Sequence, residues 1–255
     1  MLPSFQLQDR VALVTGGGRG IGKALAVGLA EAGAKVAVMS RTQTDLDETV
    51  KLIERSGSQA LPLQGDLTKR SDVEKAVAHV TKTLGRLDIL INNAGMNIRT
   101  PALDVTDEEW HKIMNTNLHG AFMMSQEAAK VMKQQNYGKI INITSVGGTV
   151  ALRTGVVYGA TKAALIQMTK TLALEWSPYG ININAVGPWY FRTPLTEHLL
   201  ADQTYLEDIL AQTPMNRVGE LEDLVGPVVF LAGDGANYIT GQTLFVDGGM
   251  SVFGF

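Results

Sequence analysis

The chain has 255 residues, 45% of them apolar, and a net charge of −3, which suits one domain over 1–255 with a sizeable core and, lacking any basic tract, argues against a nucleic-acid partner. It contains no cysteine, which excludes disulfides and thiolate metal sites, and His79, His111, His119 and His198 lack zinc-ligand spacing, so no metal is expected. The start MLPSFQLQDR does not read as a signal peptide, and the apolar stretch after it is broken by Arg19, Lys23, Glu31 and Lys35, so neither a membrane span nor a membrane partner is expected and a cytoplasmic location is.

In chain order, short apolar runs alternate with helical patterns, which predicts an α/β fold with a doubly wound parallel sheet. Strands are expected near 11–15, 35–39, 60–64, 88–91, 138–144, 181–186 and 243–246. Helices are expected near 20–32, 44–56, 71–84, 107–134, 155–177 and 221–232. The first strand runs into TGGGRGIG, residues 15–22, and then into a helix. A strand that turns through glycines into a helix N-terminus presents backbone N–H groups and the positive dipole end to a pyrophosphate, placing Thr15, Gly16, Gly18, Gly20, Ile21 and Gly22 at a dinucleotide. The second strand ends at Ser40 and Arg41, where an acid would bond the ribose of NAD. A serine donor and a guanidinium there, with Arg19 approaching from the glycine loop, favour NADP(H). Residues 187–220 have weak periodicity and carry Trp189, Tyr190 and Phe191 in a row, so they are expected to form an irregular substrate loop.

The run YGATK places Tyr158 and Lys162 four residues apart on one predicted helix, thirteen residues after Ser145. Residues four apart share a helix face, and an ammonium beside a phenol favours the phenolate. Bringing a tyrosine from a pKa of about 10 to near 7 needs ~4 kcal/mol of preferential phenolate stabilisation, and Lys162 is expected to supply much of it. Ser145, at the carboxyl end of an apolar strand, would hold the substrate oxygen. Taken alone, YxxxK marks an ordinary amphipathic helix with a surface Tyr and Lys far more often than a site, and the other motifs decide against that.

The ordered set TGGGRGIG, Asp66-Leu67, NNAG at 92–95, Asn117 in NTNLHG, and Ser145 with YGATK resembles the short-chain dehydrogenase/reductases over nearly the whole chain, from Val11 to Gly249. The resemblance implies a single-domain Rossmann fold with seven parallel strands and helices on both faces. It implies that Asn117, Ser145, Tyr158 and Lys162 are catalytic, Asn117 through a backbone carbonyl that holds a relay water. Asp66 and Leu67 would frame the adenine, and Asn93, Ala94 and Gly95 would line the adenosine ribose. Lys162 would bond the nicotinamide ribose, with Pro188, Phe191 and Thr193 on the carboxamide side. One departure stands out: Trp189 occupies a place where the family commonly has glycine. Trp189 cannot cheaply take a glycine-only backbone, so a rerouted loop is expected there.

The substrate pocket is expected among Met96, Asn97, Arg99, Gly147, Ala151, Arg153, Trp189 and Tyr190, whose polar groups and two arginines suggest an oxygen-rich or anionic small molecule. NNAGMNIRTPA and PWYFRTPLTE look most like gluconate 5-dehydrogenases and related polyol enzymes, with 3-oxoacyl-carrier-protein reductases as an alternative. A non-catalytic dinucleotide-binding regulator would need none of the four catalytic residues. The small and apolar residues Ala121, Met124, Ala128, Leu165, Met168 and Leu172, and the apolar end TLFVDGGMSVFGF, suggest a homotetramer.

Overall fold

The computed structural model describes residues 5–153 and 155–253. Each predicted apolar run forms a strand: β1 Val11–Thr15, β2 Lys35–Ser40, β3 Ala60–Gln64, β4 Ile89–Asn92, β5 Gly138–Ile143, β6 Ile181–Pro188 and β7 Thr243–Val246. All pair in parallel, in the order β3-β2-β1-β4-β5-β6-β7. Parallel neighbours need crossovers, and helices supply most of them: α1 Gly20–Glu31, α2 Gln43–Arg55, α3 Arg70–Leu84, α4 Asp107–Met114, α5 Gly120–Gln135, α6 Val156–Trp176, α7 Glu197–Leu200, α8 Gln203–Ala211 and α9 Glu222–Ala232.

Side chains alternate along a strand, so an unbroken apolar run must bury both faces. On β1, Ala12 and Val14 join a core with Leu25 and Leu29 of α1, Leu46 of α2 and Val228 of α9. Val11 and Leu13 point the other way, to Val73 of α3, Met124 of α5 and Leu172 of α6. This is a single α/β domain. The strand order reverses between β1 and β4, which opens a crevice at their carboxyl ends, where doubly wound sheets bind ligands.

Several expectations need correction. The helix predicted over 107–134 is interrupted: α4 and α5 are joined by a π-helical turn, Asn115–His119, a device often found at functional sites. The loop at 187–220 is less irregular than expected, because β6 extends through Pro188 and the loop contains α7 and α8. Trp189 is absent from the residues with positive φ, and its N–H bonds the Val246 carbonyl at 3.3 Å. That position therefore does not demand a glycine backbone, and the chain continues from β6 without rerouting.

The residues taken as an assembly surface are also corrected. Ala121, Met124, Ala128, Leu165 and Leu172 are buried within the chain itself, and Met168 packs against the α3–α5–α6 core. Helices this close to a sheet and to one another spend their small residues on internal packing. Exposed apolar side chains include Val156 and Leu174 on α6, Trp110 on α4, and Leu244, Val252 and Phe253 near the carboxyl end. The last two residues of the apolar tail and the first four of the chain lie outside the described residues. Among the described residues no helix is long and apolar enough to cross a membrane.

Candidate active site

The glycine turn is closed by its neighbours. Gly16 has φ +65°, and a Cβ there would lie 2.9 Å from the Ala94 Cα. At Gly22 a Cβ would meet the Gly16 carbonyl oxygen at 2.2 Å and Asn93 Nδ2 at 2.4 Å. The NNAG segment braces this contact: Asn93 Nδ2 donates to the carbonyls of Thr15 at 3.0 Å and Gly16 at 3.3 Å. Thr15 Oγ1 accepts from the N–H groups of Asn93 and Ala94 and donates to the Ile91 carbonyl. The N-terminus of α1 has no side-chain cap and no acid in its first turn. Its free N–H groups and positive dipole end suit a pyrophosphate, so the residues present fit a dinucleotide.

From this turn a cleft of about 620 Å³ runs across the sheet ends. At one end lie Ser40, Arg41 and Arg19, with Asp66 and Leu67 opposite. The Ser40 hydroxyl closes a local turn, donating to the Thr42 carbonyl at 3.1 Å and accepting from the Thr42 N–H. For Asp66, burial raises the carboxyl pKa, but bonds from the Thr68 N–H and hydroxyl and the charge of Arg41 outweigh it and leave it below the usual range. At the other end lie Ser145, Tyr158 and Lys162, bordered by Pro188, Phe191 and Thr193. Every residue expected at the dinucleotide lines this one cleft. Thr42, Asp45, Thr116, Thr144, Pro194 and Thr196 also line it and were missed. Asp45 carried a legible signal, since it is an acid in the first turn of the helix after β2.

Ser145 follows β5, and its Oγ accepts from the Gly147 N–H at 3.1 Å. Gly155, with φ +88°, starts α6 and sets the face that carries Tyr158 and Lys162. Lys162 is buried and donates from Nζ to the Ile143 carbonyl at 2.7 Å. Its Nζ stands 5.5 Å from the Tyr158 ring centroid. Burial raises the Tyr158 phenol, with the neighbouring Ser145 hydroxyl and the charge of Arg99 opposing it only in part. This corrects the expectation of a phenol lowered by Lys162. Burial also pushes Lys162 itself down to about 8, which weakens its hold on a neighbouring phenolate.

A family model described as enoyl-(acyl carrier protein) reductase matches residues 16–251. A tropinone reductase homolog of Arabidopsis thaliana is 43% identical over 98% of this chain and 96% of its own length. The gluconate 5-dehydrogenase of Gluconobacter oxydans is 40% identical over 97% of each chain. The chain belongs to the short-chain dehydrogenase/reductase family. Among solved structures, a gluconate 5-dehydrogenase from Burkholderia cenocepacia, in complex with NADP and tartrate, superposes with a TM-score of 0.95 at 38% identity, covering 98% of each chain. Like the family, this short-chain dehydrogenase is an oxidoreductase acting on CH–OH groups.

The expected substrate residues divide. Met96 and Trp189 line the cleft of this dehydrogenase. Arg99 lies where its charge reaches both Tyr158 and Tyr190. Tyr190 faces a second cavity behind Trp189, and its hydroxyl shares a 2.6 Å bond with that of Tyr205. Gly147 is buried against Leu152. Arg153 is turned away: it pairs with Asp208 of α8 at 2.7 Å and stacks over Tyr205, tying α8 to the β5–α6 connection instead of reaching substrate. Asn117 is also not in the cleft wall; its side chain clasps the Met96 backbone through two 2.8 Å bonds.

A second buried lysine, Lys139 at the start of β5, is pushed down to about 8 by burial while donating to Asn182 and Asn237. Both lysines hold fewer protons folded than unfolded between pH 8 and 10.5, so this contribution to stability rises with pH in that window and is lost as pH falls toward 8. Burial raises the phenols of Tyr137, Tyr158 and Tyr190, which costs stability above about pH 10. Urea unfolding should therefore show stability climbing from pH 8 to 9.5, by on the order of 1 kcal/mol per pH unit per group, then falling. A flat profile would show that the lysines stay charged when folded.

Proposed function

We propose that the protein is an NADP(H)-dependent oxidoreductase that interconverts a secondary alcohol and a ketone, with a sugar acid, polyol or small carbonyl compound as substrate. The observation that carries this reading is one continuous cleft joining the glycine turn, the Ser40–Arg41 strand end and the Ser145, Tyr158 and Lys162 side chains. When bound, the nicotinamide coenzyme supplies or accepts the hydride. Ser145 holds the substrate oxygen, and Tyr158 gives that oxygen a proton in reduction and takes it in oxidation. Lys162, with donors beyond its Ile143 bond, holds the coenzyme ribose and the relay to Tyr158. Asn117 positions Met96 and, through its backbone carbonyl, the relay. Burial raises the Tyr158 phenol, so in the free protein the hydroxyl carries the proton that ketone reduction needs.

Arg99 beside Tyr158 and Tyr190 supports an anionic substrate, because a guanidinium binds a carboxylate through two parallel bonds. The neighbour that holds NADP with tartrate, a hydroxy diacid, is consistent with that preference. Following NADPH absorbance with a panel of ketones, keto sugar acids beside neutral polyol ketones and 3-oxoacyl thioesters, tests the class. Turnover confined to 3-oxoacyl thioesters would replace the sugar-acid reading, and no turnover with any ketone would leave only a binding module.

Arg41→Ala removes a charge-assisted contact to the 2′-phosphate, worth about 1.5 to 3 kcal/mol. The KM for NADPH should rise roughly 10- to 100-fold while that for NADH changes little. An equal rise for both coenzymes would make Arg41 only a surface charge.

The single 1–255 domain, with residues 187–220 as its substrate loop, is proposed to act in the cytoplasm as a homotetramer. Two exposed faces support the assembly, Trp110 and Leu174 on α4 and α6, and Leu244 with Val252 and Phe253 around β7. Analytical ultracentrifugation should find about four chains per particle at micromolar concentration, and a stable monomer refutes the assembly.

A further inference from the structure

The adenosine end of the cleft contains an acid as well as the two arginines. Asp45 sits in the first turn of α2 and lines the cleft beside Ser40 and Arg41. A Cβ on Gly18 would lie 2.8 Å from the Asp45 Cβ and 3.2 Å from Ser40 Oγ, so Asp45 and Ser40 flank the same glycine.

The other acids in the first half of α2 are occupied. Glu48 pairs with Lys23 at 3.2 Å, and Asp47 accepts from Gln43 at 2.7 Å. The half-buried Asp45 carboxylate receives no hydrogen bond and closes no ion pair among the described residues. Arg19 and Arg41 also close no ion pair there, so neither neutralises it.

We propose that Asp45 is a coenzyme-specificity residue: its carboxylate accepts from the adenosine ribose hydroxyls of NAD(H) and opposes the 2′-phosphate of NADP(H), so that the protein takes both coenzymes. The proposal rests on the dinucleotide reading above. A carboxylate at the end of the second strand is the usual acceptor for the ribose hydroxyls. Asp45 reaches the same region from the next helix while the strand end carries Ser40 and Arg41. The two arginines attract a phosphate that Asp45 repels, which leaves a preference instead of an exclusion.

Isothermal titration without substrate tests this directly, using NADPH and NADH, and adenosine 2′,5′-bisphosphate and 5′-AMP as probes that lack the nicotinamide. Wild type, Asp45→Asn, Asp45→Ala and Arg41→Ala are compared after thermal melts confirm that each is folded. Asp45→Asn should tighten NADPH and the bisphosphate about 5- to 10-fold and weaken NADH and 5′-AMP about 3- to 10-fold, and Asp45→Ala should move the same way. Equal changes for both coenzymes, no change in either, or a wild type that does not bind NADH at all would overturn the proposal. If Arg41→Ala loses NADPH selectively while the Asp45 variants are silent, the dinucleotide reading stands and the role of Asp45 fails. A wild type that binds no dinucleotide overturns both.

Discussion

Tyr158→Phe is expected to lose turnover by about 10²- to 10⁴-fold, the range over which a positioned general acid or base acts. Its KM for coenzyme should stay close to that of the wild type. Only the hydroxyl is removed, and the ring keeps its place on α6 with Lys162 Nζ 5.5 Å from its centroid. Lys162→Ala should instead damage coenzyme binding and turnover together, because it also removes the ammonium from the ribose end of the site. The pH profiles separate the two directions. Burial holds the Tyr158 phenol above its usual pKa, so reduction should persist across neutral pH, whereas oxidation, which needs the phenolate, should rise with pH. The apparent pKa will belong to the Tyr158–Lys162 unit as a whole. Steady-state kinetics with the best ketone and with the corresponding alcohol read both effects. Near-normal rates from Tyr158→Phe over several good substrates would remove it from the proton-transfer step.

Gly22→Ala is expected to have the largest effect on the binding turn. The backbone at Gly22 does not have positive φ, so the penalty is steric. The added methyl would lie 2.2 Å from the Gly16 carbonyl oxygen and 2.4 Å from Asn93 Nδ2, two atoms that already hydrogen-bond each other at 3.3 Å. Neither can yield without opening the turn or breaking the NNAG brace. Overpacking of this kind costs about 1–3 kcal/mol, which lowers Tm by roughly 3 to 10 °C in a chain of this size. The same displacement takes the α1 N-terminus out of register with the pyrophosphate, so coenzyme affinity should fall about 10- to 100-fold. Gly226→Ala is the control for coenzyme binding: beyond its chain neighbours and the α9 backbone nothing lies within 4 Å of the added methyl. Although the following Pro227 disfavours a helical residue with a Cβ and removes any gain in stability, coenzyme affinity should be unchanged. Calorimetry and coenzyme titration on the two variants check the contrast. A Gly22→Ala protein that binds coenzyme like the wild type would show that the turn has slack.

Strand positions, the glycine turn and the Ser145, Tyr158 and Lys162 set were legible in the sequence because each depends on local chemistry. An apolar run buried on both faces can hardly be anything but a central parallel strand, and a glycine-rich turn between β1 and α1 has few other uses. Asn93 and Ala94 were expected only through the resemblance to the family; the structure supplies the physical reason, since the Asn93 side chain and the N–H groups of both residues brace the turn. Composition and pattern thus determined the sheet, the switch point and the Ser145, Tyr158 and Lys162 set that lines the cleft.

Tertiary structure alone decided the rest, because it depends on what lies across from a residue. Met124 and Leu172 read as spare apolar surface, yet they face α3 and the sheet. Arg153 reads as a substrate contact, yet Asp208, 55 residues away, captures it. Asp45 belongs to the coenzyme end only because α2 returns beside Gly18. The sign of the Tyr158 shift also inverted: spacing alone puts a charged lysine beside the phenol, but burial of both groups disfavours charge on each. Solvent exclusion is a property of the assembled fold, and no pair spacing in the chain records it.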